Sequence, residues 1–339
     1  MSNMSLRTTV VGSFPKVTET GSDNLPGTID KWQKQQVNDA GLAAEIEKVI
    51  RRVLKEQEEA GLDLVTDGQV RWEDLPHLIA RSSTGIQRGA LRRFFDNNVY
   101  YRRLEMPALS AVEGAGGVSW QKSAAADEVR FASTATKKPV KAALPGPLML
   151  AYATELKPGQ TVESLIPFYA DLLKQEVQAL EKAGVKEIQI DEPNLSAAEP
   201  LTAKTVEAIN KIFAGIKARR WVAVYFQDVS AFLPALAKLQ VEVLGLDLVS
   251  AREKNPGLLS KVADFLKSGA WKGEVALGLV DARNTKLEDV ARLKQEIAQF
   301  TKAVPADRLW LSPNCGLEFL PHEAAVKKIK LLREAATGA

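Results

Sequence analysis

The groups able to do chemistry in this chain are few, so their positions carry most of the information. There is one cysteine, Cys315, and only two histidines, His77 and His322. A thiolate binds soft metals or attacks electrophiles, although a lone cysteine is also a common small buried hydrophobe. Two adjacent carboxylates, Asp191 and Glu192, follow the apolar run Ile188–Ile190. Such a pair can hold an amine or serve acid–base steps; the plainer alternative is a carboxylate at a helix N-terminus. Asp67 and Asp247 close two further apolar runs, and Arg283 follows a third. A guanidinium there can clamp a carboxylate or phosphate, or form a surface ion pair. Both histidines fall in helical patterns and read as cap or surface residues. Their scarcity limits any mechanism built on a histidine base or several imidazole ligands.

Eight short runs rich in Val, Ile and Leu carry these groups: Thr8–Ser13, Leu62–Gly68, Val140–Gly146, Glu187–Asp191, Trp221–Phe226, Val243–Val249, Glu274–Asp281 and Leu309–Cys315. They are apolar without alternation, as strands covered on both faces are. Helical periodicity separates most of them; Leu42, Ile46, Val49, Ile50 and Val53 share one face, and Gly61 supplies a stop. Strand–helix alternation repeated eight times predicts a single-domain (β/α)8 TIM barrel over residues 1–339. An open doubly wound sheet is the alternative, but it should carry a glycine-rich phosphate turn that this sequence lacks. Residues 84–138 break the rhythm with an arginine–aromatic stretch and the turn signal Gly114–Gly117. We expect an insertion after the second strand containing a β-hairpin, with 118–121 and 128–132 beside the turn. The polar stretch 17–40 is expected to be a long loop.

In such a barrel the loops after the strands form the active face. Gly12, Ser13, Asp67, Gln69, Asp191, Glu192, Tyr225, Gln227, Asp247, Arg283, Asn314 and Cys315 all stand at strand ends, so the fold would gather them around one mouth. The net charge of +3 is too small for a nucleic-acid surface. No apolar run reaches the roughly 18 residues of a membrane span, and the N-terminus lacks a signal-peptide core. One thiol fits a reducing compartment, so a cytoplasmic location is expected.

The motifs resemble those of cobalamin-independent methionine synthase along nearly the whole chain. The matching pieces are Thr9–Pro15 (TVVGSFP), Thr66–Gln69 (TDGQ), Phe95–Asn98 (FDNN), Leu144–Pro147 (LPGP), Ile188–Pro193 (IQIDEP) and Ser312–Leu317 (SPNCGL). The resemblance implies a short, single-barrel member that moves a methyl group to the sulfur of homocysteine, which zinc would hold as thiolate. It implies that Gly12, Ser13, Asp67, Gln69 and Asp191 hold the amino acid, with Gln69 where family members carry glutamate. Glu192 and Asn314 join them as substrate-binding candidates. Cys315 matches the family's last zinc ligand and Asp247 stands where a family glutamate ligates. The family's His-x-Cys pair is replaced by Tyr225-Phe226-Gln227, leaving Gln227 or Tyr225 as a weak third ligand. Arg283 stands where the family has an active-site histidine.

The leading expectation is therefore a methyltransferase acting on homocysteine or a related thiol, with Cys315, Asp191 and Arg283 as its catalytic groups. Its donor would be a methylated folate or another methyl carrier. The alternative is a non-catalytic subunit that binds a methyl donor or a partner protein in a split synthase. A barrel lyase or methyltransferase for a different thiol is the third reading.

Overall fold

The computed structural model describes residues 6–21, 23–93, 100–109, 117–196 and 200–338. Strands are numbered in chain order: β1 (Arg7–Thr8), β2 (Ser83–Thr84), β3 (Gln87–Arg93), β4 (Tyr100–Glu105), β5 (Ser119–Trp120), β6 (Lys141–Pro145), β7 (Glu187–Asp191), β8 (Arg219–Val224), β9 (Val243–Asp247), β10 (Glu274–Val280) and β11 (Leu309–Pro313).

Seven strands form one parallel sheet in the order β1-β11-β10-β9-β8-β7-β6. The segment 62–65 joins its two edges. Leu64 bridges Thr9 on one side and Val65 bridges Val140 on the other, both parallel. Leu64 N donates to Thr8 O at 3.2 Å and Lys141 N to Val65 O at 2.8 Å. Eight backbone segments thus close the (β/α)8 barrel, although the second forms bridges rather than a full strand.

Inward-facing side chains alternate with outward ones. At the barrel floor, Leu64, Trp221, Val243, Ala276 and Trp310 pack together, with the two indoles edge to face at 5.1 Å. Their N–H groups need acceptors when buried, and Glu187 and Glu274 supply them at 2.5 and 2.6 Å. Glu274 is in turn paired with Arg7 at 2.6 Å. The next inward positions include Lys141 and Gln189, both buried.

Outside the sheet, helix Asp39–Glu59 starts where the Asn38 side chain accepts from Gly41 N, and it buries Ile46, Val49, Ile50, Val53 and Leu54. Gly61 ends it at φ +78, a conformation glycine adopts without strain. Helix Val162–Lys182 opens with a Thr161–Ser164 capping box. No helix among the described residues is long and apolar enough to cross a membrane.

Two expectations are corrected. The polar stretch 17–40 carries helix Leu25–Gln33, capped by Asn24 and with proline in its first turn. The insertion does contain a hairpin, but its strands are β3 and β4, the arginine-rich stretch. Ser119 and Trp120 pair instead with β2, and 128–132 lies in helix Ala126–Ala135. The stretches 94–99 and 110–116, which include Phe95–Asn98 and most of the expected turn, lie outside the described residues.

Candidate active site

Above the strand ends lies a cavity of about 750 Å3. Ser13, Gln69, Asp191, Tyr225 and Arg283 line it, together with Glu73, Tyr101, Met149, Phe226, Glu318 and Phe319. Five of the strand-end residues therefore reach one space, from the loops after the first, second, fourth, fifth and seventh barrel segments.

Gln69 is held in place by its own loop. It has φ +49, rare for a side-chain-bearing residue, and its backbone N–H donates to Asp67 Oδ1 at 3.0 Å. Its amide Nε2 donates to Ala143 O at 3.2 Å. Gly12 supports the arrangement, because an added Cβ would come 2.9 Å from that amide nitrogen. Asp67 and Gly12 thus position Gln69 from beneath. Burial pushes the Asp67 carboxyl up.

Asp191 is 2% exposed. Its Oδ1 accepts from Gln189 Nε2 at 2.5 Å and its Oδ2 from Tyr225 Oη at 3.4 Å. Burial raises its pKa above the usual carboxylate range. The neighbouring Glu192 turns away from the cavity and is fully buried. Its two oxygens accept from Leu148 N and Met149 N, each at 2.9 Å, in the first turn of helix Pro147–Ala153. Burial pushes its carboxyl up to about 8. The helix-terminus alternative thus describes Glu192, while Asp191 has the open side.

Arg283 lies over the Phe226 ring, 5.2 Å from its centroid, a cation–π arrangement. Phe226, at φ +72, also packs edge to face on Tyr225 and Phe319. An aromatic wall carrying a positive charge therefore fills the region of Tyr225-Phe226-Gln227. Gln227 is half-buried and is not part of the cavity lining.

The remaining strand-end candidates form the framework around the cavity. The Asp247 carboxylate accepts from Phe226 N, Val249 N and Ser250 N at 2.9 Å each, from Ser250 Oγ at 2.5 Å, and from Asn314 Nδ2 at 3.2 Å. Asn314 Oδ1 accepts from Ala282 N at 2.9 Å, so this amide ties the ends of β9, β10 and β11 together. Cys315 is fully buried, and its Sγ donates to Gly316 O at 3.6 Å. Burial, reinforced by the Asp247 and Glu318 charges, raises its thiol well above the ordinary range.

These residues do not fit zinc. A zinc site takes three or four N, S or O donors around one point. Asp247 already accepts five hydrogen bonds, and Cys315 is an enclosed thiol. Among the described residues no three His, Cys, Asp or Glu side chains gather as a metal-binding group. The zinc set implied by the resemblance is reduced here to a structural knot.

Glu318 was missed in the sequence. It follows the eighth strand in the short turn Leu317–Phe319 and opens onto the cavity. Its side chain is exposed, but to a recess walled by protein. That partial desolvation pushes its carboxyl up to about 7. Looking three residues beyond the end of the eighth apolar run, Leu309–Cys315, finds it. Lys16, whose ammonium donates to Trp72 O, is the nearby cation that most favours the ionised form of Glu318.

Comparison with known proteins agrees with this architecture. A methionine synthase of Sulfolobus acidocaldarius is 26% identical over 326 residues, covering 96% of this chain and 89% of that protein. A 5-methyltetrahydropteroyltriglutamate–homocysteine methyltransferase of Campylobacter jejuni is 25% identical over 338 residues, 96% of this chain but 42% of its own length. A B12-independent methionine synthase from a Shewanella species, solved with selenomethionine, superposes with a TM-score of 0.78 at 21% identity, covering 98% of this chain and 97% of that one. Residues 6–338 match the family described as "Cobalamin-independent synthase, Catalytic domain", and the chain belongs to that family.

Proposed function

We propose that this chain transfers a methyl group to the sulfur of homocysteine, giving methionine. The main support is the meeting of Ser13, Gln69 and Asp191 on one cavity, in a family whose relatives include named methionine synthases. Asp191 takes the substrate ammonium, and the Ser13 hydroxyl and Gln69 amide take its carboxylate. The sulfur end then lies toward the wall of Phe226 and Phe319.

A free thiol of pKa about 8.5 is mostly protonated at neutral pH and must lose its proton to react. Glu318, with a carboxyl near 7, is the cavity group matched to accept it. The thiolate attacks the methyl carbon and a C–S bond forms. The bond from that carbon to the donor nitrogen breaks, its electron pair stays on nitrogen, and the proton on Glu318 passes to that nitrogen. Arg283 on its aromatic platform would hold an anionic part of the donor. A methylated folate, the donor in the name of the Campylobacter relative, is the donor we favour, with another methyl carrier as the alternative.

The test is turnover by the purified chain with L-homocysteine and methyl-tetrahydrofolate, following methionine by mass spectrometry, together with rescue of a methionine auxotroph. Methionine formation that Asp191→Asn abolishes would support the assignment. Tight substrate binding without turnover would instead assign the role of a binding subunit in a split synthase.

A further inference from the structure

The cavity has a charged group beneath it that the reaction above does not use. Lys141 points from β6 into the barrel interior and is 1% exposed. Its Nζ donates to Val10 O at 2.9 Å and to Gln189 Oε1 at 2.6 Å. It also lies 4.6 Å from the centroid of the Trp221 ring. Gln189, 2% exposed, carries the connection upward: its Nε2 donates to Val11 O at 2.8 Å and to Asp191 Oδ1 at 2.5 Å.

The polarity of this chain is fixed by its partners. Val10 O and Val11 O are carbonyls and can only accept. The Gln189 amide must therefore turn its NH2 toward Val11 and its oxygen toward Lys141. Lys141 Nζ then meets two oxygens and the electron-rich face of an indole. An ammonium, with three donors and no lone pair, satisfies all three; a neutral amine would aim its lone pair at one of them. At the other end, Asp191 Oδ1 can only accept. The arrangement suits an ammonium and a carboxylate bridged by one polarised amide, inside a medium where unpaired charge is costly.

We propose that Lys141, acting through Gln189, is a positioning residue that keeps the Asp191 carboxylate ionised for recognition of an amino acid's ammonium group. This rests on the assignment of Asp191 to the substrate amine made above. Burial lowers Lys141 and raises Asp191, and the attraction between the two opposes both shifts; the donor and acceptor pattern of the chain is what favours the charged pair. The other groups facing Asp191 are Glu318, Tyr225 and Glu192. None supplies positive charge. Below Lys141 the facing acid is Glu187, which also serves the Trp221 N–H and Arg219.

The test measures L-methionine binding by titration calorimetry from pH 6 to pH 8; methionine has no thiol to complicate the titration. Wild type should bind with nearly constant affinity. Lys141→Met should bind at least tenfold more weakly at pH 7 and recover affinity toward pH 8, as the uncompensated Asp191 loses its proton. Binding by Lys141→Met within twofold of wild type, or a loss that is equal at pH 6 and pH 8, would overturn the inference. Asp191→Asn separates the two layers. If it binds like wild type, the assignment of Asp191 fails; if it alone loses binding, only the role of Lys141 fails. Should Lys141→Met not fold, 15N NMR of the wild-type side chain, assigned through its contact with the Trp221 ring, decides. An ammonium at pH 7.5 is expected, and a neutral amine would overturn the inference.

Discussion

Replacing Asp247 by alanine should destabilise this protein whether or not metal is present. The carboxylate accepts five hydrogen bonds, three of them from backbone N–H groups. Val249 and Ser250 are half-buried, so water can replace part of what their amides lose, at about 1 kcal/mol each. Asn314 is 3% exposed, but its Nδ2 also donates to Ser250 Oγ at 3.3 Å, so its loss is about 1 kcal/mol. With Phe226 N added at about 1 kcal/mol, the sum is about 4 kcal/mol. For a chain of 339 residues the unfolding entropy is about 0.7 kcal/mol/K, so Tm should fall by roughly 6 °C. The assay is thermal unfolding of wild type and Asp247→Ala, each with a chelator and with added zinc. The account predicts the same gap in both media. A wild type stabilised by zinc and brought down to the variant's Tm by the chelator would show that Asp247 is a ligand, and would refute the conclusion that these residues do not fit zinc.

Other outcomes follow from single contacts. Glu318→Gln should lower kcat by about 10²–10⁴-fold and remove a rise of kcat with pH through about 7; an unchanged pH profile would remove Glu318 from the reaction. Cys315→Ser should keep activity within a few-fold, because the thiol is enclosed and its bond to Gly316 O suits a hydroxyl; complete inactivation would restore a chemical role for the sulfur. Gly146→Ala should cost about 1–3 kcal/mol, since the added Cβ would run into the Glu192 carboxylate and lie 2.9 Å from Asp191 O; a melting curve like wild type's would contradict that packing. The carboxyl of Glu192 is raised to about 8 from an unfolded value near 4.5, so the folded state binds a proton that the unfolded state has released. Stability should therefore fall as pH rises from about 5 to about 8, by at most about 1.4 kcal/mol per unit for this group. Glu192→Gln should flatten that slope in urea titrations, and an equal slope in the variant would exclude Glu192 as its source.

The barrel is legible in the sequence because strands such as β6, β9 and β11 are buried on both faces and read as mainly apolar runs without alternation. The second run is equally apolar, yet it forms only bridges at Leu64 and Val65, a matter of backbone register that composition does not encode. The insertion was placed correctly but assembled wrongly. Arginine and tyrosine occupy β3 and β4; β3 is largely exposed and β4 buries only Tyr101 and Leu104, so hydrophobic alternation is missing there. In the site, the ends of strands were found, while the direction each side chain takes was not. Asp191 and Glu192 are adjacent, and the strand's two-residue period sends one to the cavity and the other to a helix terminus. Cys315, Asp247 and Asn314 look chemical in sequence, but Cys315 is enclosed, and the polar atoms of Asp247 and Asn314 are taken up by partners in their own loop and at neighbouring strand ends. Lys141 and Gln189 cannot be singled out in the sequence: the β6–β7 register brings them together, and barrel closure brings the Val10 and Val11 carbonyls to them.

The central claim is that the cavity takes an amino acid through Asp191 and Gln69 and methylates its sulfur. The most direct measurement is a single-turnover reaction of the purified chain with isotopically labelled L-homocysteine and methyl-tetrahydrofolate, run in parallel with Asp191→Asn. The account predicts labelled methionine from wild type and at least a hundredfold less from the variant. Methionine formed equally by both proteins would contradict it.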